Sequence, residues 1–121
     1  MKFYRGDKSG DFKIINKLSR YNFPCLFFAS NIDLAIKYKE EFNGYLYEHD
    51  INVISRTIDF KGEITHSADF RNMIMKLRFE KYKSVLIKNC GDYPSNLSQL
   101  TYSDILVVFD LSIIKSTKKH S

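Results

Sequence analysis

The sequence contains no tryptophan and only two cysteines in 121 residues. Cys25 and Cys90 lack a CxxC spacing and stand in or beside apolar segments, which predicts buried thiols rather than a disulfide or a metal site. The histidines, His49, His66 and His120, are distant in sequence from one another and from the cysteines. We therefore expect no bound metal.

Long apolar runs are also missing. The longest cover residues 25–29 and 105–109, far below the roughly 20 residues that a membrane-spanning helix needs. The amino terminus reaches charge at Lys2 and Arg5 and lacks the apolar stretch of a secretory signal. We expect no membrane span and a cytoplasmic site of action, in the producing cell or in a host cell.

The motifs of the common nucleotide-binding and hydrolase folds are absent as well. Residues 6–10, GDKSG, lack the GxxxxGK[ST] spacing of a phosphate-binding loop, and no strand is followed by GxGxxG. No serine stands in a nucleophile elbow with histidine and acid partners. These absences exclude a P-loop, a Rossmann dinucleotide site and an α/β-hydrolase site.

The composition is that of one globular domain. Hydrophobic residues make up 44% of the chain and charged residues 27%. Nineteen Lys and Arg against fourteen Asp and Glu give a net charge of +5, which suits a polyanionic partner or a phosphate-rich ligand. The basic residues are spread along the chain, with one dense run near the end. We assign residues 1–116 to a single domain and residues 117–121 to a basic tail.

Apolar periodicity predicts helices and strands in an irregular order, which favours an α+β fold. Either Ser30 or Asn31 can cap the second helix, and residues 89–103, crowded with Gly, Pro, Asn and Ser, are predicted to form a long loop. The predicted helices cover residues 11–19, 32–41 and 67–82. The predicted strands cover residues 2–5, 25–29, 44–51, 55–60, 84–88 and 105–109.

Four segments, in this order, resemble the small ADP-ribosyltransferases. Residues 3–6, FYRG, resemble the opening strand of that family, which ends in Tyr-Arg-Gly in one branch. Residues 26–30, LFFAS, with Ala35 and Tyr38 on the next helix, resemble its strand, Ser/Thr and Ala-x-x-Tyr pattern.

The later segments continue the resemblance. Residues 44–60 are similar to the paired central strands, and residues 82–89, YKSVLIKN, to Tyr-Asp-Gly-Val-Ile-x-x-Asn. Residues 104–116, DILVVFDLSIIKS, resemble the final Val-Val-Phe-Asp-Pro-Ser-Gln-Ile-Lys-Ser strand, and this match is the most specific.

The resemblance implies a split β-sandwich with a few peripheral helices and a cleft that holds NAD as co-substrate. The implied activity is mono-ADP-ribosyl transfer: cleavage of the nicotinamide–ribose bond and transfer of ADP-ribose to a macromolecule. A protein is the expected acceptor and a nucleic acid the alternative. The family's habits also suggest a toxin, phage or mobile-element setting.

By the resemblance, the family's catalytic Glu falls on Asp104, and Ser103 or a shifted alignment stays open as the alternative for this position. Cleavage of NAD develops oxocarbenium-like charge on the ribose, and a carboxylate beside the sugar stabilises that charge. The resemblance implies that Arg5 binds the phosphates or ribose, that Ser30 supports the acid or ribose, and that Tyr38 stacks on nicotinamide. The implied NAD-binding residues are Tyr4, Arg5, Gly6, Phe28, Ala29, Ser30 and Tyr38.

Each of these residues also has a structural interpretation. Asp104 can end the loop before a buried strand, Ser30 can cap a helix, and Tyr38 can belong to the core. Arg5 can form a surface salt bridge to Asp7 or Glu48. Because residues 102–104 read YSD in place of Glu-x-Glu or Gln-x-Glu, an NAD glycohydrolase and a catalytically inactive binding module both stay open.

Overall fold

The structure is a computed structural model that describes residues 1–11, 23 and 25–120. It is an α+β domain, and the described residues form two α-helices and seven strands. The strands are β1 (Lys2–Asp7), β2 (Leu26–Ala29), β3 (Tyr45–Ile51), β4 (Arg56–Asp59), β5 (Ser84–Asp92), β6 (Thr101–Val108) and β7 (Ile114–Lys119). The helices are α1 (Ile32–Phe42) and α2 (Ala68–Phe79). The helix predicted for residues 11–19 lies, apart from Asp11, outside the described residues.

The seven strands form one mixed sheet in the order β4-β5-β6-β2-β1-β3-β7. Only β4 and β5 run parallel, and every other neighbouring pair is antiparallel. The pairing between β1 and β2 consists of a single register pair, Tyr4 with Ala29. The sheet therefore divides at this point into a four-stranded and a three-stranded half.

Strand alternation gives each face of the sheet its own core. One cluster packs beneath the helices and includes Ala29, Ile105 and Val107 with Ile74 of α2. The residues that alternate with these build the second cluster on the opposite face. Its buried members are Phe3, Phe28, Ile51, Leu106, Val108 and Ile113.

Both helices begin at polar caps. The side chain of Asn31 accepts a hydrogen bond from the backbone of Asp33, and Ser67 accepts one from the backbone of Phe70. Of the two predicted caps for α1, the structure therefore selects Asn31. The second helix ends three residues before the predicted end, because Lys81 adopts a left-handed φ of 60°.

The long loop predicted for residues 89–103 is wrong. Strand β5 continues to Asp92 and β6 begins at Thr101, so only residues 93–100 connect them. These strand ends carry mostly polar side chains, and they are held by backbone pairing rather than by an apolar stripe. Asp104 consequently lies inside β6 and does not end a loop.

The basic tail predicted from residue 117 is not separate from the domain. Strand β7 continues to Lys119 and pairs with β3, and the backbone N–H of His120 donates to Leu46. The lysines lie on an edge strand, where their charge opposes pairing with other chains.

Candidate functional site

Ser30 and Asp104 meet where β2 ends beside β6. The Ser30 N–H donates to the Asp104 carbonyl at 3.0 Å, and the Asp104 N–H donates to the Ser30 hydroxyl at 3.2 Å. The Ser103 hydroxyl lies 3.4 Å from that of Ser30 and accepts the Asn31 N–H at 3.1 Å. The corner between β2 and α1 is thus fixed to the backbone of the strand that carries Asp104. Because Asn31 is the helix cap, the capping interpretation of Ser30 is wrong.

The carboxylate of Asp104 lines an open depression of about 460 Å³ at this corner. Its Oδ1 accepts a hydrogen bond of 3.0 Å from the backbone N–H of Asn89 on β5. Among the lining residues of the depression, Asp104 alone carries a formal charge. The lining consists of Ser30, Asn31, Gly62, Asn89, Tyr102, Ser103 and Asp104.

Arg5 occupies the division between the two halves of the sheet. Its Nε donates to Asp7 Oδ2 at 3.0 Å, and its Nη1 donates to the carbonyl of Phe27 at 2.9 Å. The side chain is one quarter exposed. Of the two ion pairs considered from the sequence, the structure contains the one to Asp7, while Glu48 pairs with Lys2.

Arg5 and Asp104 project from the same face of the sheet. Arg5 lies two residues after Phe3 on β1, and Asp104 lies two residues before Leu106 on β6, so each shares a strand face with a member of the second core cluster. Strand β2 lies between them. Two strand spacings of about 4.8 Å and an offset of two residues put their Cα atoms roughly 12 Å apart. Arg5 is not among the residues that line the Asp104 depression.

Gly6 and Ala29 face the helices instead of a ligand cleft. A Cβ atom on Gly6 would lie 2.4 Å from the Ala35 carbonyl oxygen and 2.4 Å from the Lys39 nitrogen. The residue is therefore a glycine because α1 packs directly on β1, which corrects the prediction of close approach to a cofactor. Ala29 is buried in the cluster beneath the helices, and strand alternation puts Tyr4 on the same face as Gly6.

Phe28 and Tyr38 also have structural roles. Phe28 is 1% exposed, so the structure leaves it no surface to offer a cofactor. The Tyr38 hydroxyl donates to the carboxylate of Asp92, with O–O distances of 3.0 and 2.9 Å. Thr65 and the backbone of Tyr93 donate to the same carboxylate. Tyr38 thereby ties α1 to the end of β5 on the helix side of the sheet, and its predicted stacking on nicotinamide has no support in this geometry.

A buried histidine lies on the Arg5 face. His49 is fully buried, its Nδ1 lies 3.1 Å from the Thr117 hydroxyl, and the Phe28 ring meets it edge-on at 4.7 Å between centroids. Burial, with a smaller contribution from the Arg5 charge, lowers the pKa of His49 to about 4. The imidazole is therefore neutral at pH 7 and adds no charge beneath Arg5.

Four residues that line the depression were not site candidates from the sequence: Asn31, Gly62, Asn89 and Tyr102. Asn89 stood in the segment that resembles the family but received no role, and Tyr102 was placed in the predicted loop. Tyr102 is 59% exposed and lies two residues before Asp104 on β6, so the two side chains share a face of the strand. Recognising β6 from residue 101 would have revealed that alternation.

The described part of the chain contains no cluster of three or more His, Cys, Asp or Glu side chains that could hold a metal ion. Neither α1 nor α2 is long and apolar enough to cross a bilayer.

Comparison of the chain with models of known protein families, with curated proteins and with solved structures gives no significant match.

Proposed function

We propose that this protein is a mono-ADP-ribosyltransferase that takes NAD as co-substrate at the junction of β1, β2 and β6. The observation that carries the proposal is the meeting of Ser30 and Asp104, 74 residues apart in sequence, within hydrogen-bonding distance. Arg5 lies two strands away, on β1, and on the same face of the sheet as Asp104. These are the three residues that the resemblance to the ADP-ribosyltransferases marks as catalytic.

The form of the sheet supports the same proposal. A split β-sandwich needs two half-sheets that separate around a ligand, and here a single residue pair joins β1 to β2. Arg5 lies at that division and bonds across it to the carbonyl of Phe27. We therefore propose that the division between the halves corresponds to the family's NAD cleft.

Asp104 would stabilise the cationic ribose. A carboxylate beside the sugar gains interaction energy as positive charge develops, so it favours the transition state over bound substrate. Among the described residues, those that line the depression around Asp104 include no cation that would compete for the carboxylate. Ser30 holds the Asp104 backbone in place through its hydroxyl.

Arg5 would hold the anionic part of the co-substrate. Its guanidinium has five N–H donors, and Asp7 and Phe27 engage only its Nε and Nη1 atoms. The two contacts fix the plane of the group, so that the remaining donors present a rigid fork to phosphate oxygens. A lysine at this position would supply charge without the fork.

Labelled NAD tests the proposal. The protein is incubated with adenylate-labelled NAD and a cell lysate, and the products are separated before and after protease and nuclease digestion. Asp104→Asn is expected to lower transfer at least about a hundredfold, in line with the loss of one preorganised electrostatic group. Glu40→Gln, an acid-to-amide change on the exposed side of α1, is the matched control and is expected to retain activity.

The products distinguish the functions that stay open. Label on protein or nucleic acid that depends on Asp104 supports transfer and identifies the acceptor class. Free ADP-ribose without labelled macromolecules replaces the proposal with NAD hydrolysis, for which the open depression leaves room for water. No cleavage of NAD in either fraction would show a binding module and end the proposal of an enzyme.

A further inference from the structure

Asn89 lies at an irregularity in the pairing of β5 with β6. Between Ile87 and Cys90 the register shifts, so that three steps along β5 match two steps along β6. At this bulge Asn89 has a left-handed φ of 59°. The local turn aims its backbone N–H at a side chain of β6.

That side chain is Asp104. The side chain and the carbonyl of Asn89 are hydrogen-bonded as well. The Asn89 N–H donates to Asp104 Oδ1 at 3.0 Å, while its side-chain Nδ2 donates to Asp59 Oδ1 at 3.0 Å. The Asn89 carbonyl accepts the Gly62 N–H at 2.7 Å. The backbone N–H, the side chain and the carbonyl of Asn89 thus connect the end of β4 and the turn that follows it to the carboxylate of Asp104.

Asp59 is itself a fixed anchor. It accepts the Lys61 N–H at 2.8 Å in addition to the Asn89 amide. The bond from the Asn89 side chain, followed by that from Lys61, lowers the pKa of Asp59, so the acceptor is ionised at neutral pH. A charged acceptor strengthens the bond that holds the bulge.

We propose that Asn89 is a positioning residue that orients the Asp104 carboxylate towards the depression; its catalytic meaning rests on the function proposed above. The bond from the Asn89 N–H fixes one carboxylate oxygen and leaves the second for the ligand. An aspartate reaches less far than the glutamate of the resembled family, so its orientation has less tolerance for error. The tie to Asp59 keeps the bulge, and with it the N–H, in place.

Exchanging donor and acceptor tests the tie between Asn89 and Asp59. Asn89→Asp alone puts two carboxylates against each other and is expected to lower kcat about tenfold with KM for NAD nearly unchanged, since displacement of a catalytic group by a fraction of an ångström has effects of this order. Both side chains are exposed, which limits the effect to this scale. The double variant Asn89→Asp with Asp59→Asn re-forms the bond in reverse and is expected to recover kcat to within about threefold.

Amide hydrogen exchange provides a measurement that does not depend on activity. The Asn89 amide is expected to exchange at least about tenfold faster in Asp104→Ala than in the unchanged protein, because its acceptor is lost. The Lys61 amide, which bonds Asp59, is the internal control and keeps its rate.

The outcomes separate the two proposals. Unchanged Asn89 exchange in Asp104→Ala, or a double variant no better than Asn89→Asp, would overturn the positioning role even in an active enzyme. Faster exchange together with no turnover of NAD would leave the orientation of Asp104 by Asn89 established and would refute the proposed function alone.

Discussion

The buried imidazole of His49 is expected to make the fold less stable as the pH falls below about 6.5. An unfolded chain binds a proton at this histidine near its ordinary pKa of 6.5, whereas the folded protein resists protonation until about pH 4. Between these values the unfolded state binds more protons, so the free energy of unfolding rises with pH. The stabilisation is complete above pH 6.5 and is lost progressively towards pH 4.

The size of the effect follows from the two pKa values. A shift from 6.5 to about 4 corresponds to about 3 kcal/mol once both states are protonated, and to about 2 kcal/mol at pH 5. Domains of this size have a total stability of about 5–15 kcal/mol, so a loss of this order is readily measured. Urea unfolding between pH 4.5 and pH 7.5, followed by circular dichroism, provides the free energies.

Two variants assign the pH dependence to the ring. His49→Phe keeps an aromatic ring of similar size and removes the titration, so the rise of stability between pH 4.5 and pH 6.5 is expected to shrink by about 2 kcal/mol. Thr117→Val removes the hydroxyl beside Nδ1 and leaves the buried imidazole, so the rise is expected to persist. An equal pH slope in the unchanged protein and in His49→Phe would refute the reasoning.

Three further predictions concern close packing, a hydrogen bond and the accessibility of the buried thiols. Gly6→Ala is expected to lower the free energy of unfolding by more than about 2 kcal/mol, because its Cβ would overlap the backbone of α1. Gly62→Ala, with open space around it and a φ of +81°, is expected to lower it by about 1 kcal/mol. Equal losses in urea unfolding would contradict the close packing of α1 on Gly6. Tyr38→Phe removes only the hydroxyl that bonds Asp92 and is expected to lower stability by about 1–2 kcal/mol with kcat/KM for NAD unchanged; unchanged stability would contradict the structural role of that hydroxyl. Cys25 and Cys90 are buried, and burial raises the pKa of Cys90 to about 12, so neither thiol is expected to react with an aromatic disulfide reagent until the protein is unfolded; rapid native reaction would show that the core is open.

The sequence predicted those elements whose signals are local. A polar cap at Ser30 or Asn31 and apolar residues at helical spacing were sufficient for α1, and the apolar run at 105–109 was sufficient for the second half of β6. The ends of β5 and β6 were missed because Asn89 and Tyr102 lie in polar stretches whose strand structure depends on backbone partners far along the chain. Alternation cannot reveal a strand whose exposed and buried positions are both polar.

Roles that depend on a partner were harder to predict than positions. Gly6 was correctly recognised as a point of close approach, but the sequence could not show that a helix backbone, and not a ligand, approaches there. Tyr38 was correctly placed on a helix, yet its bond to Asp92 joins segments 54 residues apart. The pairing of Ser30 with Asp104 was expected only through the resemblance, and the structure brings the two residues together.

The relation between Arg5 and Asp104 depends on side-chain packing more than on the sheet ladder. Backbone pairing joins the halves at one residue pair, but the second core cluster crosses the division, with Phe3 of β1 packed among Phe28 and Leu106 of the other half. Phe3 lies two residues before Arg5 on β1, Leu106 lies two residues after Asp104 on β6, and Phe28 of β2 pairs with Leu106. A substitution that changes the volume of this cluster is therefore expected to change the separation of β1 and β6, and with it the separation of the guanidinium of Arg5 from the carboxylate of Asp104.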